Sequence, residues 1–166
     1  SQNCQYRTAF PEFTSLDASQ GEYPEGVAVD KVGNIFVSIG GGSGPRGAIL
    51  KFTPAGEKSV LVDFGTPGAA GLAVDAAGDV HVARPVAPNN GVYRVDRHGR
   101  AARLPGTEQI VFPNALAFDD RGNLYVTELT DNPATTGIKL LKPQGGGGSG
   151  KAEPTSRLVF TEVKGG

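Results

Sequence analysis

One short phrase occurs three times along this chain and constrains its fold more than any other feature. It occupies residues 24–37, 69–82 and 113–126. Each copy consists of an apolar run that ends in aspartate, a turn that contains glycine, and a second apolar run. The copies are 45 and then 44 residues apart. Internal repeats of this length are typical of propellers, solenoids and other repeat arrays.

Each repeat predicts four antiparallel β-strands. The two apolar runs form a hairpin, because the aspartate of the turn accepts local backbone hydrogen bonds and the glycine supplies positive φ. A third and a fourth strand follow in each repeat, at 48–52 and 59–64, at 91–95 and 102–104, and at 137–141 and 157–163. Four antiparallel strands make one blade of a β-propeller. The predicted fold class is therefore all-β, a propeller of three four-stranded blades.

Three blades are too few to close a ring, since propellers have roughly four to eight. The predicted boundaries are one domain over 1–166, with blades at 24–65, 69–105 and 112–164. Residues 8–16 resemble a fourth strand and are predicted to act as a closing outer strand. Residues 144–150 are a Gly-rich loop within blade 3, either natural or an engineered joint. We expect half of a six-bladed ring, either a piece of a larger protein or a homodimer that closes the ring.

The bulk composition argues against two classes of partner. The net charge is −1, so nothing predicts binding to nucleic acid. The sequence contains no apolar run near the ~20 residues of a membrane-spanning helix, so no membrane partner is expected. We expect a soluble protein whose compartment stays open, with secretion or a periplasmic location after processing as the alternatives.

The residues just before the inner strands are the first candidates for a binding site. These residues ring one mouth of the channel, because the first strand of each blade lies nearest the axis. They are Glu25, Ala70 and Asn114. A carboxylate and an amide oxygen suit Ca²⁺ or another hard divalent cation. Such an ion can activate water for hydrolysis of an ester or lactone. The alternative is that Glu25 and Asn114 are turn residues that follow proline.

The ends of the second strands add charged residues to the same rim. Arg84 is predicted to bind a polyol or carboxylate substrate through its guanidinium group. Glu128 is predicted to be a catalytic general base or a substrate contact. For both residues the alternative is an ion pair at the rim. His81 shares its strand position with Phe36 and Tyr125, and is predicted to be a packing residue.

The first and third copies of the phrase resemble a known family. Residues 113–119 (Pro-Asn-Ala-Leu-Ala-Phe-Asp) and 122–126 look like the senescence-marker/gluconolactonase/luciferin-regenerating family of six-bladed, calcium-dependent propellers, and 24–30 resembles its opening blade. The resemblance implies a lactone or related ester as substrate. It also implies a divalent ion held by a Glu of the first blade, an Asn before an inner strand and an Asp of a later blade. Glu25 matches the Glu and Asn114 the Asn, whereas the later blade has no counterpart.

Two functional interpretations follow. The first is a calcium-dependent lactone or ester hydrolase-like propeller, although the missing third ligand predicts little activity for a single half-ring. The alternative is a non-catalytic scaffold or engineered fragment that binds a partner through its rim loops. The repeat phrase also resembles NHL-type propellers, many of which bind proteins or RNA without catalysis. The missing ligand and the Gly-rich insertion favour the scaffold, whereas Glu25 and Asn114 favour the enzyme.

Overall fold

The computed structural model describes residues 12–41, 44–130, 137–141 and 158–161. These residues contain twelve strands: β1 (Pro24–Val29), β2 (Ile35–Ile39), β3 (Ala48–Phe52), β4 (Lys58–Asp63), β5 (Leu72–Val74), β6 (Val80–Arg84), β7 (Gly91–Val95), β8 (Ala101–Arg103), β9 (Pro113–Phe118), β10 (Leu124–Glu128), β11 (Gly137–Leu141) and β12 (Leu158–Thr161). Two short 3-10 turns, Ala18–Gln20 and Thr107–Gln109, precede β1 and β9.

The strands form three separate antiparallel sheets of four, and each sheet contains the strands of one sequence repeat. The sheet orders are β1-β2-β3-β4, β5-β6-β7-β8 and β9-β10-β11-β12. The predicted all-β class with three four-stranded blades is therefore confirmed. Of the predicted closing strand, residues 12–16 are described and form no strand, and residues 8–11 lie outside the described residues. The Gly-rich loop 144–150 lies outside them as well.

The repeated aspartates hold the hairpin between the first and second strands of each blade. The Oδ1 atom of Asp30 accepts hydrogen bonds from the backbone N–H groups of Val32, at 3.0 Å, and Asn34, at 2.8 Å. The same bonds recur from Ala77 and Asp79 to Asp75, and from Arg121 and Asn123 to Asp119. The glycine of each turn has positive φ, which glycine adopts without a steric cost. The interpretation of these aspartates as structural residues is confirmed.

The hydrophobic core lies between the blades. One cluster joins blades 1 and 2, and its buried members are Phe36, Ile49, Ala69, Leu72, Val80, Val82 and Val95. A second joins blades 2 and 3, with Ala73, Val92, Ile110, Leu124, Val126 and Leu141. Successive residues of a strand point to opposite faces, so the inner strand β5 contributes to the interfaces on both of its sides, through Leu72 and Ala73. Blades therefore stack face to face, with β1, β5 and β9 side by side.

The face of blade 1 that points away from blade 2 carries a third cluster. Its buried members are Ile39, Ala48, Leu50 and Phe52. The segment before β1 covers part of this face, since Leu16 packs on the cluster and the Phe13 ring lies edge-on to Phe52 at 6.3 Å. Within the described residues, no helix has both the length and the apolar character needed to cross a bilayer.

Candidate functional site

Glu25 lies at the first inner strand, where the pairing of β1 with β2 is irregular. Pro24 pairs with Ile39 and Gly26 with Ser38, so Glu25 is the extra residue of a β-bulge. Its side chain is exposed and lies over Gly41, in the loop after β2. A Cβ atom at Gly41 would stand only 2.3 Å from Oε1 of Glu25. The carboxylate can take this position only because residue 41 is glycine.

The main-chain groups of Ala70 and Asn114 link successive blades at the same rim. The Ser38 hydroxyl accepts a hydrogen bond from the Gly26 N–H at 2.8 Å and donates one to the Ala70 carbonyl of the next blade. At the following interface, the Gly71 N–H donates directly to the Asn114 carbonyl at 2.7 Å. Glu25 on β1, Ala70 just before β5 and Asn114 on β9 therefore occupy equivalent positions in three neighbouring blades.

Two glycines permit this close approach of the inner strands. A Cβ atom at Gly26 would lie 2.7 Å from the Ala70 carbonyl oxygen, and one at Gly71 would lie 2.5 Å from the Asn114 oxygen. Both distances are far below ordinary contact, so larger residues would push the strands apart. The side chains of Glu25 and Asn114 are exposed, whereas Ala70 between them is buried. The mouth thus presents two oxygen-bearing side chains, with a methyl group at the intervening position.

Arg84 lies inside the interface between blades 1 and 2. It is only 3% exposed, and burial lowers the pKa of its guanidinium group. Its Nε donates to the Gly68 carbonyl at 2.8 Å, and one Nη donates to the Thr66 hydroxyl at 2.7 Å and to the Pro67 carbonyl at 3.1 Å. Its guanidinium carbon also lies 4.2 Å from the centre of the Phe64 ring. Arg84 holds the connection between the blades, and a substrate contact stays a prediction.

Glu128 is also buried, with 5% of its surface exposed. Its Oε1 accepts a hydrogen bond from the backbone N–H of Val111 at 2.8 Å. This bond ties the end of β10 to the segment that leads into β9. A catalytic role for Glu128 stays a prediction, and in the structure its carboxylate contributes to the folding of blade 3.

The opposite end of the blades contains a cavity that the sequence did not reveal. Its volume is about 710 Å³, and all three repeated aspartates line it together with His81 and Phe118. His81 is 6% exposed and its ring packs edge-on against Phe118 at 5.0 Å, which confirms its packing role. Among the described residues, its Nδ1 is the buried side-chain atom that lacks a hydrogen-bond partner, at 3.8 Å from Oδ2 of Asp75. Burial lowers the pKa of His81, so the ring is neutral at pH 7.

Glu25 and Asn114 at the channel mouth are donors of the type that a hard cation prefers, but two side chains are fewer than such an ion needs. Carboxylate and amide oxygens are ligands of Ca²⁺, which takes six to eight oxygens. Glu25 and Asn114 provide these two donor types, and Gly41 leaves the room that the Glu25 carboxylate occupies. Among the residues that the structure describes, no group of three or more His, Cys, Asp or Glu side chains is arranged to hold a metal ion. Glu25 and Asn114 are thus two donors of a suitable type, and a cation site at this mouth stays a prediction.

The fold defines the chain as a partial β-propeller, and known structures of propellers share it. A chain of a nidogen/laminin complex matches with a TM-score of 0.61 and 17% identity, over 74% of this chain and 45% of that chain. A gluconolactonase from Xanthomonas campestris matches with a TM-score of 0.60 and 22% identity, over 76% of this chain and 46% of the gluconolactonase. A streptogramin B lyase gives a TM-score of 0.52 and 18% identity, over 74% of this chain and 38% of the lyase.

These similarities establish the fold, and the chain spans less than half the length of the proteins that it matches. No family model matches the sequence. No curated protein matches it either. The residues that sequence reasoning missed are those that link the blades, namely Ser38, Gly26 and Gly71. A signal was present in the repeat phrase, where small residues follow Glu25 and Ala70, but only the packed inner strands give it meaning.

Proposed function

We propose that this chain forms the cation-binding half of a propeller that hydrolyses a lactone or a related ester. The observation that carries the proposal is the pairing of Glu25 and Asn114 at equivalent, exposed positions of one channel mouth. Structural likeness to a gluconolactonase supports it at the level of the fold. The resemblance of residues 24–30, 113–119 and 122–126 to the senescence-marker/gluconolactonase/luciferin-regenerating family supports the same assignment.

Glu25 and Asn114 are the residues that would hold the ion. A bound Ca²⁺ would supply Lewis acidity, which polarises a carbonyl oxygen or acidifies a water. The chain's own contribution is positional. The close contact at Gly26 and Gly71 sets the backbone spacing beside both donors, and Gly41 leaves the space that the Glu25 carboxylate occupies. Preorganised donors bind a cation with less loss of conformational freedom.

Calorimetric titration of the protein with CaCl₂ tests the proposal. We expect Glu25→Gln, which keeps the shape and removes the charge, to weaken binding roughly tenfold or more, about 1.4 kcal/mol at least. Asn114→Ala should weaken it as well. Glu57→Gln is the matched control, because Glu57 is an exposed carboxylate in the turn between β3 and β4. Equal Ca²⁺ affinity of Glu25→Gln and Glu57→Gln, or no binding by the parent protein, would rule out the site.

The second candidate is a propeller scaffold without catalysis. The observation that favours it is the burial of Arg84 and Glu128, which leaves the described mouth with few charged groups for chemistry. The two candidates differ in a measurable way. A hydrolase should release acid from a simple γ- or δ-lactone when Ca²⁺ is present, and Glu25→Gln should lower that rate. Ca²⁺ binding without any lactone or ester hydrolysis would favour the scaffold.

A further inference from the structure

The array of three blades has two open ends, and both are exposed. On β1, Val27 is 65% and Val29 is 58% exposed, on the face that points away from blade 2. On blade 3, the exposed residues that point away from blade 2 include Ala115, Ala117 and Tyr125. Exposed apolar faces of this kind mark surfaces of association.

The internal interfaces follow one packing rule. Each inner strand presents two small residues to the next blade and two larger apolar residues to the preceding blade. The small pairs are Gly26 and Ala28 on β1, and, in blade 2, Gly71 just before β5 and Ala73 on β5. The larger pairs that pack against them are Leu72 and Val74 on β5, and Leu116 and Phe118 on β9. By the same alternation, Val27 and Val29 are the larger pair of blade 1, and Ala115 and Ala117 are the small pair of blade 3.

The internal interfaces also follow one hydrogen-bonding rule. The carbonyl at each position equivalent to Glu25 accepts a bond from the preceding blade, as the Ala70 carbonyl does from the Ser38 hydroxyl. Thr127 occupies the position of Ser38 in blade 3. Its hydroxyl oxygen accepts a bond from the Ala115 N–H at 2.9 Å, as that of Ser38 does from Gly26. The hydroxyl of Thr127 is therefore oriented to donate to the carbonyl of a following inner strand.

We propose that the following strand is β1 of a second copy of this chain. Val27 and Val29 of one copy pack on Ala115 and Ala117 of the other. We call this interface between β1 of one copy and β9 of the other the joint, and across each joint Thr127 donates a hydrogen bond to the Glu25 carbonyl. Two copies of three blades then close a ring about a two-fold axis along the channel. The closed ring also places Asn114 of each copy next to Glu25 of the other copy. This juxtaposition would complete more of the proposed cation site, and only this part of the inference rests on the proposed function.

One residue makes this joint weaker than an internal interface. Ala115 occupies the position of Gly26 and Gly71, where a Cβ atom would lie 2.5–2.7 Å from the carbonyl of the next strand. The joint must therefore open slightly relative to the internal interfaces. Residues 12–16 already pack on the cluster that β2 and β3 carry on this face of blade 1, so the contact is made chiefly by β1. We expect a dimer that dissociates on dilution.

Sedimentation equilibrium over a wide range of concentration, in buffer without Ca²⁺, tests this inference. The expected mass at high concentration is twice the 17.1 kDa of one chain. Val29→Asp should give a folded monomer, since it places a charge in the apolar joint. Val32→Asp is its control, because Val32 is a 74% exposed valine in the hairpin turn of the same blade, outside the joint. Thr127→Val should weaken the dimer about tenfold, because each of two joints loses one hydrogen bond. Ala115→Gly should tighten it.

A mass of 17.1 kDa at every concentration would overturn the inference, as would equal dimerisation of Val29→Asp and Val32→Asp. Circular dichroism of each variant separates loss of association from loss of folding. The measurement is independent of the proposed function. A dimer that binds no Ca²⁺ leaves this inference intact and refutes the cation site, whereas a monomer that binds Ca²⁺ does the reverse.

Discussion

The close approach of the inner strands makes a quantitative prediction for Gly71→Ala. The added Cβ atom would stand 2.5 Å from the Asn114 carbonyl oxygen and 2.7 Å from Cα of Ala115. Both neighbours are backbone atoms of β9, so no side-chain rotation can relieve the contact. The strands must separate, which also stretches the 2.7 Å hydrogen bond from the Gly71 N–H to the Asn114 carbonyl.

The two effects can be estimated separately. Overpacking of a tightly packed site costs about 1–3 kcal/mol. Loss of one backbone hydrogen bond adds about 0.5–1.5 kcal/mol. We therefore expect Gly71→Ala to lower the free energy of unfolding by about 2–4 kcal/mol. For a chain of this size, that corresponds to a fall of roughly 5–15 °C in Tm.

Thermal unfolding followed by circular dichroism measures this effect, with Gly137→Ala as the matched control. Gly137 begins β11 and does not have positive φ, and a Cβ atom added there would meet no other atom within 4 Å. Alanine at this position should be neutral or stabilise the fold by up to about 1 kcal/mol. If both variants unfold at the same temperature, the contact between β5 and β9 does not determine the spacing of the mouth and the reasoning fails.

Two further predictions concern buried polar residues. Arg84→Met should lower the free energy of unfolding, measured by urea titration, by about 2–4 kcal/mol. The reason is that the acceptors on Thr66, Pro67 and Gly68 lose their charged donor. Unchanged stability would show that these hydrogen bonds do not hold the blades together. Burial makes the pKa of His81 lower in the folded protein than in the unfolded chain. The neutral, buried ring therefore contributes its full stabilisation above about pH 6.5, the usual pKa of histidine, and this contribution falls as the pH is lowered, because the unfolded chain binds the proton more readily. The stability of His81→Phe relative to the parent should therefore rise between pH 7 and 5, whereas parallel stability curves would contradict the assignment.

The strands and hairpins can be predicted because their causes are local. Asp30 and Asn34 are four residues apart and form their hydrogen bonds within one turn. The alternation of apolar residues needs only the strand itself. For the same reason the strand positions predicted for the three blades agree with the structure to within about two residues. Glu25 and Asn114 emerge in the same way, from their equivalent places in a repeat.

The functions of charged residues at the rim cannot be predicted in this way. The sequence predicts that Arg84 faces a substrate, but its partners are residues 66–68, which come from the connection between two blades. Glu128 binds the Val111 N–H, seventeen residues earlier in the chain. Residues 8–16 are predicted to form a closing strand, and their described part, 12–16, instead packs on blade 1 as irregular chain. In each case the decisive contact joins segments whose spacing follows no repeat.

The sequence by itself determined the class of fold, the number of blades and the position of each hairpin. The reason is that each repeat of apolar residues, aspartate and glycine forms the same hairpin through hydrogen bonds within its own turn. Only the tertiary structure decided how the blades touch. Whether a side chain at the rim is exposed, as Glu25 is, or buried, as Arg84 is, depends on the neighbouring blade. The contact between neighbouring blades is set by packing at Gly26 and Gly71 across long separations in sequence, and no local pattern encodes those distances.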